Sequence, residues 1–299
     1  MTSNLGEIAA LGTAFCWTVT SLAFEAAGKR IGSLAVNLIR LVVALAILSA
    51  FCWATRGLPL PTDATGRAWA WLSVSGIVGF TIGDLCLFRA FVVSGARLSM
   101  LLMSLVPPFT ALIGWGLLGE ELACRDWLGM ALTVGGVAWV VLERPPGREE
   151  KGARGERRID GVLLGLGGAL GQATGLVLSK EGMGEYNAFA ATQIRIIAGA
   201  VGFAVLFTAI GWWPRVISGL KNRGAMARLS LGAVFGPFMG VSLSLVAVQN
   251  TEAGVAATIM AIVPVLIIPP TILIHKERVS PRAVIGAVAA VSGVAILFL

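Results

Sequence analysis

The chain has 299 residues, of which 57% are hydrophobic and only 13% charged, and its net charge is +7. Soluble domains carry about 25% charged residues, so a sizeable water-soluble domain is excluded, and the positive excess reads as a topology signal rather than a nucleic-acid surface. A bilayer span needs about 20 mostly apolar residues, and ten segments qualify, near 5–27, 33–55, 67–90, 96–119, 125–143, 160–180, 187–211, 228–249, 253–274 and 281–299.

The first segment opens with Glu7 and lacks a basic leader, so it reads as a true span rather than a cleaved signal. Thr13, Trp17, Thr20 and Phe24 share one of its faces at helical spacing. The second segment places Arg40 about two turns from its start, at a depth from which arginine snorkels to the interface. The third carries Asp84 on a face with Phe80 and Phe88, at the height of Arg40, and the two charges are expected to pair. The fourth shows Met100, Met103 and Pro107 in a stripe. Cys16, Cys52, Cys86 and Cys124 lie in or beside these spans without metal spacing and read as packing residues, so no metal or cofactor is expected.

Arg144–Asp160 is rich in Pro, Gly and charge and reads as a flexible linker over 144–159. Beyond it, Gly161, Gly165, Gly171 and Gly175, with Gly167 and Gly168, form a stripe that suits close helix approach in lipid. Gly168, Gln172, Gly175 and Ser179 share a face of that sixth span. Arg195 sits early in the seventh; Met239, Ser242 and Gln249 mark the eighth, and Ala257, Met260 and Pro264 the ninth. Trp53, Trp69, Trp71, Trp127, Tyr186, Trp212 and Trp213 fall near span ends as an interfacial belt, whereas Trp17 and Trp115 lie well inside.

The second half repeats the first. Sliding Ala96–Leu142 forward by 157 lays it on Ala253–Leu299 with twelve identities, among them Met103/Met260, Pro107/Pro264, Glu120/Glu277, Gly129/Gly286 and Gly136/Gly293. A shift of 155 pairs Arg40 with Arg195. Two copies of five spans each must cross the bilayer in opposite directions, the inverted arrangement of secondary transporters. The expected fold is therefore all-α: ten helices as a repeat in 1–143, the linker, and an inverted repeat in 160–299, around a central cavity. Basic residues gather in alternate loops, at Lys29–Arg30, Arg89 and Arg97, Arg144 to Arg158, Arg215 to Arg228 and Lys276 to Arg282. That pattern predicts a cytoplasmic linker and periplasmic termini.

Matched prolines, Pro107 and Pro264, predict helix kinks at equivalent places, candidate hinges or gates. Intramembrane charges cost about 2.5–3.5 kcal/mol at a helix centre, which singles out Arg40, Asp84 and Arg195. Val241 stands where the second copy would repeat Asp84, so Arg195 lacks the matching partner and is a candidate to hold an anionic substrate group. The stripes together predict a mostly apolar cavity for an amphiphilic small molecule, with Trp17, Thr20, Phe80, Met100, Met103, Gln172, Ser242 and Met260 as candidate contacts. Taken singly each reads as core packing; Gln172 is the exception, because a mid-span amide needs a partner.

These residues resemble the drug/metabolite transporter superfamily, in particular its ten-helix EamA-type members. The resemblance rests on Arg40 and Arg195 early in spans two and seven, on the Pro107…Gly119-Glu120 and Pro264…Lys276-Glu277 spacings, and on Gly129 and Gly286. It implies a basket-like bundle lined by spans 1, 3, 4, 6, 8 and 9, exporting substrate by alternating access. The overall likeness is to bacterial inner-membrane exporters of aromatic amino acids. It implies an amino acid substrate. Lipid is the other expected partner, the charge pattern predicts no nucleic acid, and two five-span copies within one chain remove the need for an antiparallel partner, so a monomer is expected. Two departures stand out: Lys276-Glu277 replaces the Gly-Glu pair, and Asp84 has no counterpart. An exporter of drugs or hydrophobic cations would instead want an unpaired deep carboxylate, a role open to Asp84 or Glu7. A channel should show a charged pore ring, and an intramembrane enzyme a metal or serine–histidine constellation; His275 is the one histidine and falls in a loop.

Overall fold

The computed structural model describes residues 4–142, 155–266 and 281–297, and these form helices with no strand among them. Gly32, at φ +83°, separates α1 (Leu5–Ile31) from α2 (Ser33–Arg56). Thr65 caps α3 (Gly66–Gly76) by accepting from the Ala68 amide. α3 passes through a π-helical stretch, Ile77–Gly83, into α4 (Asp84–Met103). α5 (Val106–Leu118) and α6 (Cys124–Leu142) complete the first half. The second half runs α7 (Gly155–Met183), α8 (Ala188–Ala209), α9 (Trp213–Leu220), α10 (Arg223–Ala233), a second π stretch (Val234–Gly240), α11 (Val241–Asn250), α12 (Ala253–Met260), α13 (Val263–Leu266) and α14 (Pro281–Leu297).

The backbone repeats at the spacing seen in the sequence. Adding 157 to the bounds of α3, 66–76, gives those of α10, 223–233; adding it to the first π stretch, 77–83, gives the second, 234–240. The break at 104–105 maps onto 261–262, and Cys124 onto Pro281. Adding 155 to Ser33 reaches Ala188, the start of α8. A π stretch recurring at one place in both copies is a property of the repeat rather than an accident of one helix.

Several expectations need correction. Spans predicted separately near 67–90 and 96–119 are joined, since α4 runs unbroken across 91–95; the interruption comes later, at Ser104–Leu105. Pro107 therefore does not kink a continuous helix but is the second residue of α5, where its missing amide costs nothing. The ninth predicted span breaks at 261–262, and Pro264 is likewise the second residue of α13; its side chain lies outside the described residues, as do 267–280 with His275, Lys276 and Glu277. The predicted linker 144–159 is helical from Gly155 onward, and α9 fills what reads as loop. Among the described residues, six helical stretches are long and apolar enough to cross a bilayer, with Val106–Leu118 and Val284–Leu297 apolar but shorter.

Glycine sets the helix spacing. A Cβ on Gly171 would lie 2.8 Å from Gly83 Cα, and one on Gly175 3.0 Å from Gly79 Cα, while Gly168 and Gly182 meet Leu87 and Trp71. The glycine stripe of α7 thus packs antiparallel on α3 and α4. The repeat-related pairing holds α1 to α10 and the second π stretch: Gly232 on Phe24, Gly236 on Thr20 and Gly240 on Trp17. At the far side, Gly129 meets Leu297, Thr133 Oγ1 donates to Ala290 O at 3.4 Å, and a Cβ on Gly136 would lie 2.6 Å from Gly286 O. α6 and α14, which correspond to each other, therefore run antiparallel in direct contact.

Candidate functional site

Arg40, Asp84, Gln172 and Arg195 come together where α4, α7 and α8 meet the first π stretch and α2 meets α4. Asp84 is the first residue after that stretch and is buried. Its carboxylate pairs with the Arg40 guanidinium, as their matched depths require, and its Oδ1 accepts from Gln172 Nε2 at 2.9 Å. The same amide nitrogen donates to Gly79 O at 3.3 Å, so the mid-span glutamine finds two partners. Gly79 also touches Arg195: a Cβ there would sit 3.4 Å from the guanidinium Nη2. Arg195 is 5% exposed, lies over Phe80 at 5.0 Å from the ring centroid, and its Nε has no hydrogen-bond partner. Gly76 and Gly199 make this fit possible; a Cβ on Gly76 would overlap the Arg195 carbonyl, and one on Gly199 would lie 2.9 Å from Phe80 Cβ.

The other predicted contacts are distributed over α1, α4, α11 and α12. Thr20 is buried, with Oγ1 donating to Gly232 O at 3.4 Å, and Met260 is buried in the packed core. Trp17 is half-buried against Gly240, and Met103 half-buried at the end of α4. Ser242 is buried with Oγ unpartnered, and the Met100 side chain lies outside the described residues. A recess of about 440 Å³ opens elsewhere, between Tyr186, Phe189, Val246 and Gln249.

A second ionic assembly closes one end of the bundle. Gly119, at φ +67°, ends α5 and turns Glu120 towards α12. The Glu120 carboxylate accepts from Lys180 Nζ at 2.6 Å and, through both oxygens, from the Ala253 amide at 3.0 and 3.1 Å. Lys180 also donates to Thr251 O at 2.7 Å. α12 has no cap bond from its own Glu252, so a carboxylate from the other half caps it instead. Sequence reasoning places Lys180 only among loop charges; its signal is a lone lysine near two acidic residues at a span end. At the same end, Tyr186 donates to Asp63 Oδ1 at 2.8 Å and Arg56 bonds Asp63 at 2.5 Å. Burial and that bond to Asp63 push the Tyr186 phenol up to about 12, and the phenol's hydrogen bond holds Asp63 below its usual range. Glu7 is not deep in the bundle: it accepts from Thr251 at 2.9 Å.

Residues 4–142 and 159–299 each match the model of the EamA-like transporter family. The chain belongs to that family. This EamA-like protein is accordingly a multi-pass membrane transporter and not an enzyme. It is 25% identical over 229 residues to an uncharacterized transporter of Clostridium kluyveri, covering 77% of this chain and 72% of that protein. It is 32% identical over 128 residues to an uncharacterized transporter in the cobO 3' region of a Sinorhizobium species, covering 40% of this chain and 90% of that one. A solved crystal structure superposes with a TM-score of 0.73 at 14% identity, over 97% of this chain and 95% of the other, and so shares the fold.

Proposed function

We propose that this EamA-like transporter is a bacterial inner-membrane exporter of amino acids, aromatic and other neutral ones, working by alternating access between two inverted five-helix repeats. The observation that carries this reading is the seam. Corresponding helices α6 and α14 meet antiparallel, and the pairs 79/175 and 20/236 are the same contact seen from each half. Interruptions at 104–105 and 261–262, each just before Pro107 or Pro264, supply matched hinges. On this reading ten spans cross the membrane, both termini are periplasmic, linker 144–159 is cytoplasmic, and the protein works as a monomer. The amino acid substrate is supported by the overall likeness of the sequence to aromatic amino acid exporters, and by a buried polar cluster beside aromatic groups. Pairing of Asp84 with Arg40 weighs against the hydrophobic-cation alternative, which needs a free carboxylate.

The test is uptake by liposomes holding the purified protein, with labelled tryptophan, threonine and a hydrophobic cation compared. Tryptophan uptake above protein-free liposomes, lost in Gln172→Leu, supports the reading; cation uptake without amino acid uptake overturns it.

A further inference from the structure

We infer that Arg195 receives the carboxylate of the transported molecule, and that the site selects monoanionic carboxylates with an apolar body over zwitterions and, most strongly, over cations. The inference rests on the transport reading above and adds the charge that is recognised.

Three observations meet here. The first is charge: the cluster holds two guanidiniums, Arg40 and Arg195, against one carboxylate, Asp84, which leaves one positive charge among the described groups. A monoanion brings the total to zero, a zwitterion leaves it unchanged, and a cation raises it to two. In a buried site that difference dominates, because each uncompensated charge is desolvated. The second is hydrogen bonding. Arg195 is buried, its Nε lacks a partner, and no ion pair reaches it among the described residues. A guanidinium lying over a ring donates from its edge, and a carboxylate meets such an edge with both oxygens. The Phe80 ring, itself buried, holds the guanidinium plane in place.

The third is the repeat. Arg40 and Arg195 correspond at an offset of 155, and Asp84 corresponds to Val241 at an offset of 157. In the first half a carboxylate at the head of α4 neutralises the arginine of α2. In the second half α11 also packs on α8, but its head is the buried Val241. A bound carboxylate stands in for the aspartate that the second copy lacks; a zwitterion answers Arg195 locally, and only a monoanion also brings the cluster to neutrality.

The experiment uses the full chain in detergent, its thermal unfolding followed with 3-phenylpropionate, phenylalanine and phenethylamine, together with uptake of labelled phenylalanine into proteoliposomes. The expected order of stabilisation is 3-phenylpropionate, then phenylalanine, with phenethylamine at least about tenfold weaker. Arg195→Lys, which keeps the charge but loses the two-pronged edge, weakens carboxylate binding by about tenfold. Val241→Asp supplies an internal counter-ion and removes the preference for carboxylates. Phenethylamine stabilising as well as 3-phenylpropionate, or no stabilisation by any carboxylate, overturns the inference; both are read on the unmodified protein. The two readings separate cleanly. Phenylalanine uptake with phenethylamine competing equally leaves amino acid transport standing and sinks the carboxylate site. The predicted binding order without phenylalanine uptake does the reverse.

Discussion

Replacing Asp84 by Asn should destabilise the protein far more than replacing its partner Arg40 by Met, although each change breaks the same ion pair. The pair is buried, with side chains 8% and 14% exposed. Removing one member of a buried pair costs about 3–5 kcal/mol because the other charge is stranded. Here the two losses are unequal. Without Asp84, Arg40 and Arg195 remain together and the cluster charge rises from one to two. Without Arg40, Asp84 still has Gln172 at 2.9 Å and the nearby charge of Arg195, and the cluster becomes neutral. Asp84→Asn should therefore fall at the upper end, about 4–5 kcal/mol, and Arg40→Met at less than half of it, about 1–2 kcal/mol.

The double variant returns the cluster to a single positive charge and should be more stable than Asp84→Asn alone, a coupling of about 2 kcal/mol or more. Unfolding in mixed micelles with rising dodecyl sulfate, followed by the fluorescence of the nine tryptophans, measures all four proteins. Equal costs for the two single variants, or strictly additive ones, would refute the charge count on which this argument stands.

Tyr186 is the chain's one tyrosine, so alkaline absorbance at 295 nm reads it alone; its midpoint should lie near 12 and drop part-way towards 10 in Asp63→Asn. A phenol raised on folding stabilises fully below pH 10 and loses that contribution as pH climbs from 10 to about 12. Asp63 is held down, so its contribution is present above about pH 4 and is lost as pH falls through its folded value. Gly136→Val should lower stability by about 1–3 kcal/mol or more, since a Cβ there meets Ala290 N at 2.5 Å, whereas Gly135→Ala, with nothing within 4 Å, should be neutral in the same assay. Glu120→Gln removes the ionic partner of Lys180 and weakens the cap of α12; a loss of about 1–2 kcal/mol, and faster alkylation of a cysteine placed at Thr251, is expected.

How far the sequence could be read depended on which physical term decided each feature. Hydropathy and the 157-residue shift locate most helices, because a span must be apolar and a copy keeps its breaks. The glycine face of α7 is legible for the same reason: close approach in lipid leaves few residue types. Breaks were misplaced where proline was the guide. Pro107 suits the first turn of a helix as well as a kink, and only the turn at Ser104–Leu105 decides between them. The pair Arg40–Asp84 was readable from depth alone. Lys180 with Glu120 was not, since the bond joins residues 60 apart and needs the fold to bring α5, α7 and α12 together.

The apolar stripes are the ambiguous part of the sequence. Thr20, Phe80 and Met260 are buried, and helix packing uses the same periodicity as cavity lining. Charge breaks that degeneracy. A buried apolar residue can belong to any interface, whereas a buried arginine must be answered by something, and in the two copies it is answered differently. The backbone repeats through the π stretches, the breaks at 104–105 and 261–262 and the glycine contacts, although α4 is continuous where its counterpart parts into α11 and α12. The charges do not: one copy keeps an aspartate at the head of its helix and the other a valine. In the transport cycle proposed above, symmetry of the backbone supplies two states of similar energy, as rocking of one half against the other requires. With the carboxylate site proposed at Arg195, asymmetry of the charges would confine recognition to one place on the seam, and a bound anion would bias those two states through that residue.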